Sequence, residues 1–255
     1  SARCGEYLVV NCRNCGKPNP PGSRFCLDCG VGLPVESAPR GALRGRLVLV
    51  RPDGSEGGAH PLFEGINVVG RGSGPLFDAD SFLSPVHLRC EIGGGRFVVR
   101  DAGSLNGVFL KLTEEEPLFD GAIMRIGQEL LRFDPMRPPR LLPDGTEVMG
   151  SPHPGYWGRL TMIIGRAQDG KIIEGTSFPL VGEAVVIGRE RGDILFSEDG
   201  YVSGTHARFS FRQGRPYLQD LASSNGTYLR IPTERVIVPG TFMLLGQQLF
   251  RLMLA

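Results

Sequence analysis

Past residue 46 the chain reads as short apolar runs cut by turn-forming residues. Leu47-Val48-Leu49-Val50 opens the series, and Asp53-Gly54, Gly57-Gly58, Gly93-Gly94-Gly95 and Asn106-Gly107 punctuate it. Turn signals every ~8–12 residues predict the short strands of a sandwich or barrel. The β-branched runs Val68-Val69 and Val185-Val186-Ile187 and the segment Leu88 to Ile92 read as strands of that kind. The longest stretch free of both Gly and Pro is ten residues, Glu6 to Cys15. A typical helix takes about 11–12 residues, so the expected class is all-β. The same punctuation leaves no room for the roughly 20 consecutive apolar residues of a membrane-spanning helix.

The series occurs twice. At a constant offset of 119, residues 87–132 align with 206–251 without a gap and share 16 identities in 46 pairs. Shuffled composition would give about three. His87 matches His206, Arg89 matches Arg208, Asp101 matches Asp220, and Ser104-x-Asn106-Gly107 matches Ser223-x-Asn225-Gly226. Gly127-Gln128 matches Gly246-Gln247 further on, and Gly70-Arg71 pairs with Gly188-Arg189 upstream. One β-domain is therefore present in two copies, expected at residues 46–135 and 158–255. A Pro-rich linker at 136–157 separates them, and a Pro/Ala/Gly/Ser stretch at 34–45 precedes the first.

Composition narrows the function. With 28 basic and 27 acidic residues the net charge is +1, which gives no global pull toward nucleic acid or an anionic membrane. The cations are mostly arginine, with lysine only at 17, 111 and 171. The start, Ser-Ala-Arg-Cys-Gly-Glu, has no apolar run leading to a small-residue cleavage site. The expected location is cytoplasmic.

Residues 1–33 carry Cys12-x2-Cys15-x10-Cys26-x2-Cys29. Two such knuckles can converge on one tetrahedral Zn2+. Gly16 and Gly30 follow the second cysteine of each pair, where a tight turn brings backbone N–H groups to thiolate sulfur. About 20 residues cannot bury a core alone, so a single structural zinc would supply most of the folding energy of this ribbon. Four thiolates close the site and leave no position for catalysis. Disulfide pairing or redox use is the competing reading, and the pattern suits a reducing compartment and a metal. Cys90 reads as strand packing, and Cys4 has no assigned role.

Each copy carries Gly-Arg after its β-branched run, then Ser-x-x-His (Ser84-Pro85-Val86-His87; Ser203-Gly204-Thr205-His206). Asp-x-x-Ser-x-Asn-Gly follows, at Asp101 to Gly107 and at Asp220 to Gly226. This ordered set resembles the forkhead-associated (FHA) domain over most of the chain. The resemblance implies two eleven-strand β-sandwiches, preceded here by the zinc ribbon, whose loops at one end grip a phosphothreonine peptide. It implies that Arg189, Ser203 and Ser224 hold the phosphate in the second copy. Asn225 would bond the peptide backbone, His206 would brace the Ser203 loop, and Gly188 and Gly226 would support the turns. The first-copy equivalents are Arg71, Ser84 and Asn106, supported by Gly70, His87 and Gly107. A phosphothreonine brings about −1.5 to −2 charges and three acceptor oxygens, which an arginine fork, a hydroxyl and an amide can meet.

The first copy departs from that set. Leu105 stands where the second copy has Ser224, Val108 where it has Thr227, and Pro85 offers no N–H. Each lost charge-assisted bond costs roughly 1.5–3 kcal/mol, so the second copy is expected to carry most of the binding. The expected function is a non-enzymatic adaptor for threonine-phosphorylated proteins in Ser/Thr kinase signalling, with a kinase itself as one candidate partner. Two readings compete with it: a scaffold that binds without phosphate, and a nucleic-acid-binding regulator working through the ribbon. The ribbon has Arg3, Arg13, Lys17 and Arg24 against Glu6 and Asp28, with no long basic patch to support the second. Ser203, His206 and Asp220 lack the Gly-x-Ser-x-Gly elbow of a serine hydrolase.

Overall fold

A computed structural model of the chain describes residues 10–12, 14–20, 23, 25–31, 33, 41–137, 141–147, 149 and 155–255. The expectation for Cys4 lies outside the described residues. All regular structure among them is β.

The cysteine segment holds β1 (Val10–Asn11) and β2 (Pro18–Asn19), an antiparallel pair. The first repeat supplies β3 (Leu43–Val50), β4 (Glu56–Phe63), β5 (Gly65–Val69), β6 (Leu88–Gly93), β7 (Arg96–Asp101), β8 (Val108–Lys111), β9 (Glu116–Pro117), β10 (Ile123–Ile126) and β11 (Glu129–Pro135). The second supplies β12 (Tyr156–Arg166), β13 (Ile172–Val181), β14 (Ala184–Gly188), β15 (Ile194–Leu195), β16 (Ala207–Arg212) and β17 (Arg215–Asp220). It continues with β18 (Thr227–Arg230), β19 (Glu234–Ile237), β20 (Phe242–Leu245) and β21 (Gln248–Leu254).

The strands do not close up within their own repeats. One compact unit comprises residues 1–106, 234–240 and 245–255; the other comprises 107–233 and 241–244. Strands from the stretches 46–135 and 158–255 are therefore interleaved: each compact unit is built from both copies. In the first unit β21 pairs with β3 (Arg251 opposite Val48) and β19 pairs with β7 (Arg235 opposite Val99). In the second unit β11 pairs with β12 (Arg132 opposite Thr161) and β9 pairs with β17 (Glu116 opposite Leu218). Arg132 and Arg251 are equivalent at the 119-residue offset, and so are Glu116 and Arg235. The two repeats have thus exchanged their C-terminal strands at an unchanged register. The route is visible at β8 and β18, which pair with each other (Leu110 opposite Leu229) and lead each chain segment onward beside its new partners.

Within the first unit, β21–β3–β4 form one sheet and β19–β7–β6–β5 the other. Phe77 stacks on Phe250 at 5.2 Å between ring centres, so a residue of the first repeat packs on a strand of the second. In the second unit, β15–β14–β16–β17–β9 lie on one side. Their Ile187, Ala207, Phe209 and Leu218 share one core with Met124, Ile126, Leu131 and Phe133 from the exchanged strands β10 and β11. Phe209 is fully buried, and its truncation to Ala would cost about 3–5 kcal/mol. Pro61 and Pro179 sit in the edge strands β4 and β13, which need not offer every N–H to a ladder. The repeats contribute nine and ten strands among the described residues, where the resemblance implies eleven; β15 has no counterpart in the first repeat.

Candidate phosphopeptide site and metal centre

In the second repeat the chain leaves β14 at Gly188 and passes directly under the Ser-x-x-His loop. The Arg189 amide donates to the Ser203 carbonyl at 2.9 Å, which pins the root of the arginine to the loop. Gly188 is needed for this close approach rather than for a special turn. A Cβ there would lie 2.2 Å from the Arg191 carbonyl oxygen and 2.3 Å from that of Gly204. Gly70 is equally tight against the Pro85 carbonyl, at 2.2 Å.

His206 is fully buried beneath the loop. Its Nδ1 accepts the Ser203 main-chain N–H at 3.0 Å, and its Nε2 donates to the Gly226 carbonyl at 3.2 Å. Burial pushes its pKa below the ordinary 6.5, as a neutral ring with one acceptor and one donor nitrogen requires. The imidazole faces the main-chain amide of Ser203, not its hydroxyl, so the nucleophile–base bond of a Ser/His catalytic pair is not made. Asp220 is engaged elsewhere: it accepts from the Ser223 amide and hydroxyl and from the Thr227 hydroxyl.

The Ser203 Oγ accepts the Ser224 amide at 3.0 Å, which leaves its own O–H to be donated outward. Asn225 donates from its carboxamide to the Tyr201 carbonyl at 2.8 Å, and its own carbonyl accepts the Tyr228 hydroxyl at 3.0 Å. Arg189, Ser203, Ser224 and Asn225 are thus gathered on two loops, those after β14 and before β18, with Ser224 and Asn225 exposed. Glu190 belongs to none of the repeated motifs. Its carboxylate meets the Arg189 guanidinium at 2.8 Å, and that ion pair holds its pKa below the usual carboxylate range.

The first repeat reproduces the frame. The Arg71 amide donates to the Ser84 carbonyl at 3.0 Å and the Ser84 amide to His87 Nδ1 at 3.1 Å. The Leu105 amide donates to Ser84 Oγ at 3.1 Å, and Asn106 donates to the Phe82 carbonyl at 2.8 Å. Gly107 follows, buried, where the chain crosses from one unit to the other. The difference lies in the side chains: Leu105 is 59% and Phe82 48% exposed beside the serine.

Cys12, Cys15, Cys26 and Cys29 converge, with all four Sγ atoms within 4.8 Å of one another. The closest pairs, Cys12 with Cys29 and Cys15 with Cys26, are 3.5 Å apart. Four sulfurs at 2.3 Å from a tetrahedral ion would be about 3.8 Å apart, so the set can hold one metal ion. Gly16 and Gly30 close the knuckles by donating to the Cys12 and Cys26 carbonyls. The Asn14 amide and the Asn19 carboxamide reach sulfur, at 3.4 and 3.5 Å. The amides of Cys29 and Asp28 draw the Cys26 thiol down to about 6, while at Cys15 the Lys17 amide is outweighed by desolvation and the three neighbouring sulfurs, which push it up to about 12.

Known proteins bear on both repeats. The FHA domain family matches residues 67–127 and 185–242. The chain is similar to the FHA domain-containing protein FhaB of Mycolicibacterium smegmatis, 44% identical over 57 residues, which cover 22% of this chain and 37% of that protein. It is similar to FhaB of Mycobacterium tuberculosis, 36% identical over 78 residues, 29% of this chain and 50% of that protein. The chain therefore spans half or less of the length of these relatives. Among solved structures it is similar to the FHA domain of CT664 from Chlamydia trachomatis, 26% identical, covering 31% of this chain and 85% of that one at a TM-score of 0.20. Each matched segment contains the Gly-Arg, Ser-x-x-His and Asn-Gly of its repeat, and both repeats carry the FHA domain signature.

Proposed function

We propose that this chain is a phosphothreonine-dependent adaptor in Ser/Thr kinase signalling that binds mainly through the Arg189–Ser203–Ser224–Asn225 site. The observation that carries the reading is the state of Ser203. Its oxygen is held by the Ser224 amide and its loop by His206, so its hydroxyl donor stands preset beside the root of Arg189. Preset donors lose little on binding a multiply charged acceptor. Arg71, Ser84 and Asn106 form a second, weaker site. Two sites in one chain would raise avidity for a doubly phosphorylated partner through effective concentration. The partner is a protein phosphorylated on threonine, with a kinase itself as a candidate.

The four clustered cysteines hold one structural Zn2+ in this proposal. Zinc would supply the folding energy of a segment whose described buried apolar set is Cys12, Cys26 and Leu33. A thiolate set that holds zinc suits a reducing, cytoplasmic setting. Elemental analysis should find one zinc per chain in the wild type and none after Cys26→Ser with Cys29→Ser. A full load in that variant would remove the ribbon assignment.

The binding test is capture from an oriented peptide library in phosphothreonine, phosphoserine and unmodified forms. Selective phosphothreonine capture that disappears with Arg189→Ala and survives Arg71→Ala is the expected result. Equal capture of all three forms would favour phosphate-independent scaffolding.

A further inference from the structure

Two carboxylates outside the proposed contact set lie where the exchanged strands meet the binding loops. Asp199 is 8% exposed and Asp80 is 7% exposed. One Asp199 oxygen accepts the amide of Tyr201 at 2.8 Å, and Val202 donates to the Asp199 carbonyl at 3.1 Å. The other carboxylate oxygen accepts the amide of Gln128 at 2.6 Å. Gln128 lies in the turn between β10 and β11, so it comes from the first repeat. The mirror arrangement holds at Asp80, which accepts from Phe82 at 2.9 Å and from Gln247, in the turn between β20 and β21, at 2.9 Å.

The fit leaves no slack. Gly127 and Gly246 both have φ +60, and a Cβ on either would sit 2.4 Å from the facing aspartate oxygen. At Gly127 it would also lie 2.6 Å from Val202, the residue before Ser203. From each aspartate a short chain of bonds runs to the site. Asp199 fixes Tyr201, whose carbonyl holds Asn225, and Asp80 fixes Phe82, whose carbonyl holds Asn106.

We propose that each loop facing the phosphopeptide is positioned by the C-terminal hairpin of the other repeat, with Asp199 and Asp80 as the positioning residues. The second repeat's site is then governed by residues of the first, and the reverse. The assignment of these loops to phosphate rests on the function proposed above; their bracing by the hairpins does not.

The full chain tests it through two readouts, amide hydrogen exchange without peptide and capture of the enriched phosphothreonine peptide. Gly127→Ala should speed exchange at Tyr201 to Ser203 about tenfold and weaken capture about tenfold, leaving residues 80–87 as in the wild type. Asp199→Asn keeps the volume and one acceptor oxygen, and should show a smaller change of the same pattern. Gly246→Ala and Asp80→Asn should loosen residues 80–87 alone. Loosening of residues 80–87 by Gly127→Ala would overturn the proposal, since it would place each hairpin on its own repeat. Unchanged exchange in both loops would overturn the positioning role. If wild type captures no phosphothreonine peptide while the exchange pattern appears, the functional reading fails and the bracing stands.

A pair of cysteine variants keeps the test alive if the glycine variants do not fold. Arg46 lies opposite Met253 in the exchanged ladder, and Asp134 is the residue equivalent to Met253 in the first repeat. Oxidation should link Arg46→Cys to Met253→Cys, whereas a link from Arg46→Cys to Asp134→Cys would overturn the exchange and with it the proposal.

Discussion

The loop carrying Ser84 and the loop carrying Ser203 share one backbone. In each, the serine amide is held by a buried histidine, the serine Oγ accepts an amide from the Asn-Gly loop, and the asparagine holds a carbonyl two residues before the serine. The side chains on this frame diverge in opposite senses. The second loop adds the Ser224 hydroxyl but sets Glu190 against its arginine. The first loop replaces that hydroxyl with exposed Leu105 and has Gly72 where the second has Glu190. Geometry conserved between two copies therefore does not mean equal chemistry. Donors and nearby charge decide what the frame can hold.

The largest effect that would break the comparison is at the arginines. Arg189→Lys keeps the charge and loses the bidentate fork, and should weaken phosphothreonine binding about a hundredfold by titration calorimetry, whereas Arg71→Lys should leave the measured affinity nearly unchanged. The reverse ranking would invert the two sites. Exchanging the hydroxyl comes next. Ser224→Leu should cost about tenfold, in keeping with one charge-assisted bond, and Leu105→Ser should raise first-site affinity by a similar factor in an Arg189→Ala background.

Acid should act through His206. Its folded pKa lies below the unfolded 6.5, so the unfolded chain takes up a proton that the native ring refuses. Stability is then unaffected by this group above pH 6.5 and falls as pH drops below it. Melting temperature should decline between pH 7 and 5.5, above the titration range of ordinary carboxylates, and the decline should be blunted in His206→Gln. An undiminished decline in that variant would assign it elsewhere.

The smallest effect is at Glu190. Its pair with Arg189 is partly exposed, the arginine side chain being 39% accessible, and such pairs are worth about 0–1 kcal/mol. Glu190→Gln should tighten phosphothreonine binding by a few-fold at low salt and by less at high salt. No change at low salt would mean that the carboxylate swings aside without cost.

Much of this was legible in the chain. The alternation of apolar runs with Asp-Gly and Asn-Gly turns marks strands because backbone preference is local. The four cysteines announce their convergence through spacing alone. Ser-x-x-His marks its brace, since the buried ring three residues on reaches back to the serine amide. The strand exchange was not legible, and the repeat is the reason. Residues 123–135 and 242–254 resemble each other closely enough that a period and a register identify the slot each fills, but not in which copy. The roles of Asp80 and Asp199 were hidden with it, because each acts on a turn some 167 or 71 residues away. Nothing in the sequence marks Glu190, because its effect depends on where the Arg189 side chain rests.

The exchanged strands also set an order on synthesis. The edge of β7 is complete at Asp101, yet its partner β19 starts at Glu234, 133 residues later. At ~5–20 residues per second this interval lasts roughly 7–27 s. During it the first repeat's own β9, equivalent to β19, is the nearest segment able to occupy the open ladder, and an open edge otherwise invites pairing with other chains. The N-terminal sandwich therefore cannot finish first. The nascent chain must either hold its edges bare or undo a provisional pairing once β21 leaves the ribosome.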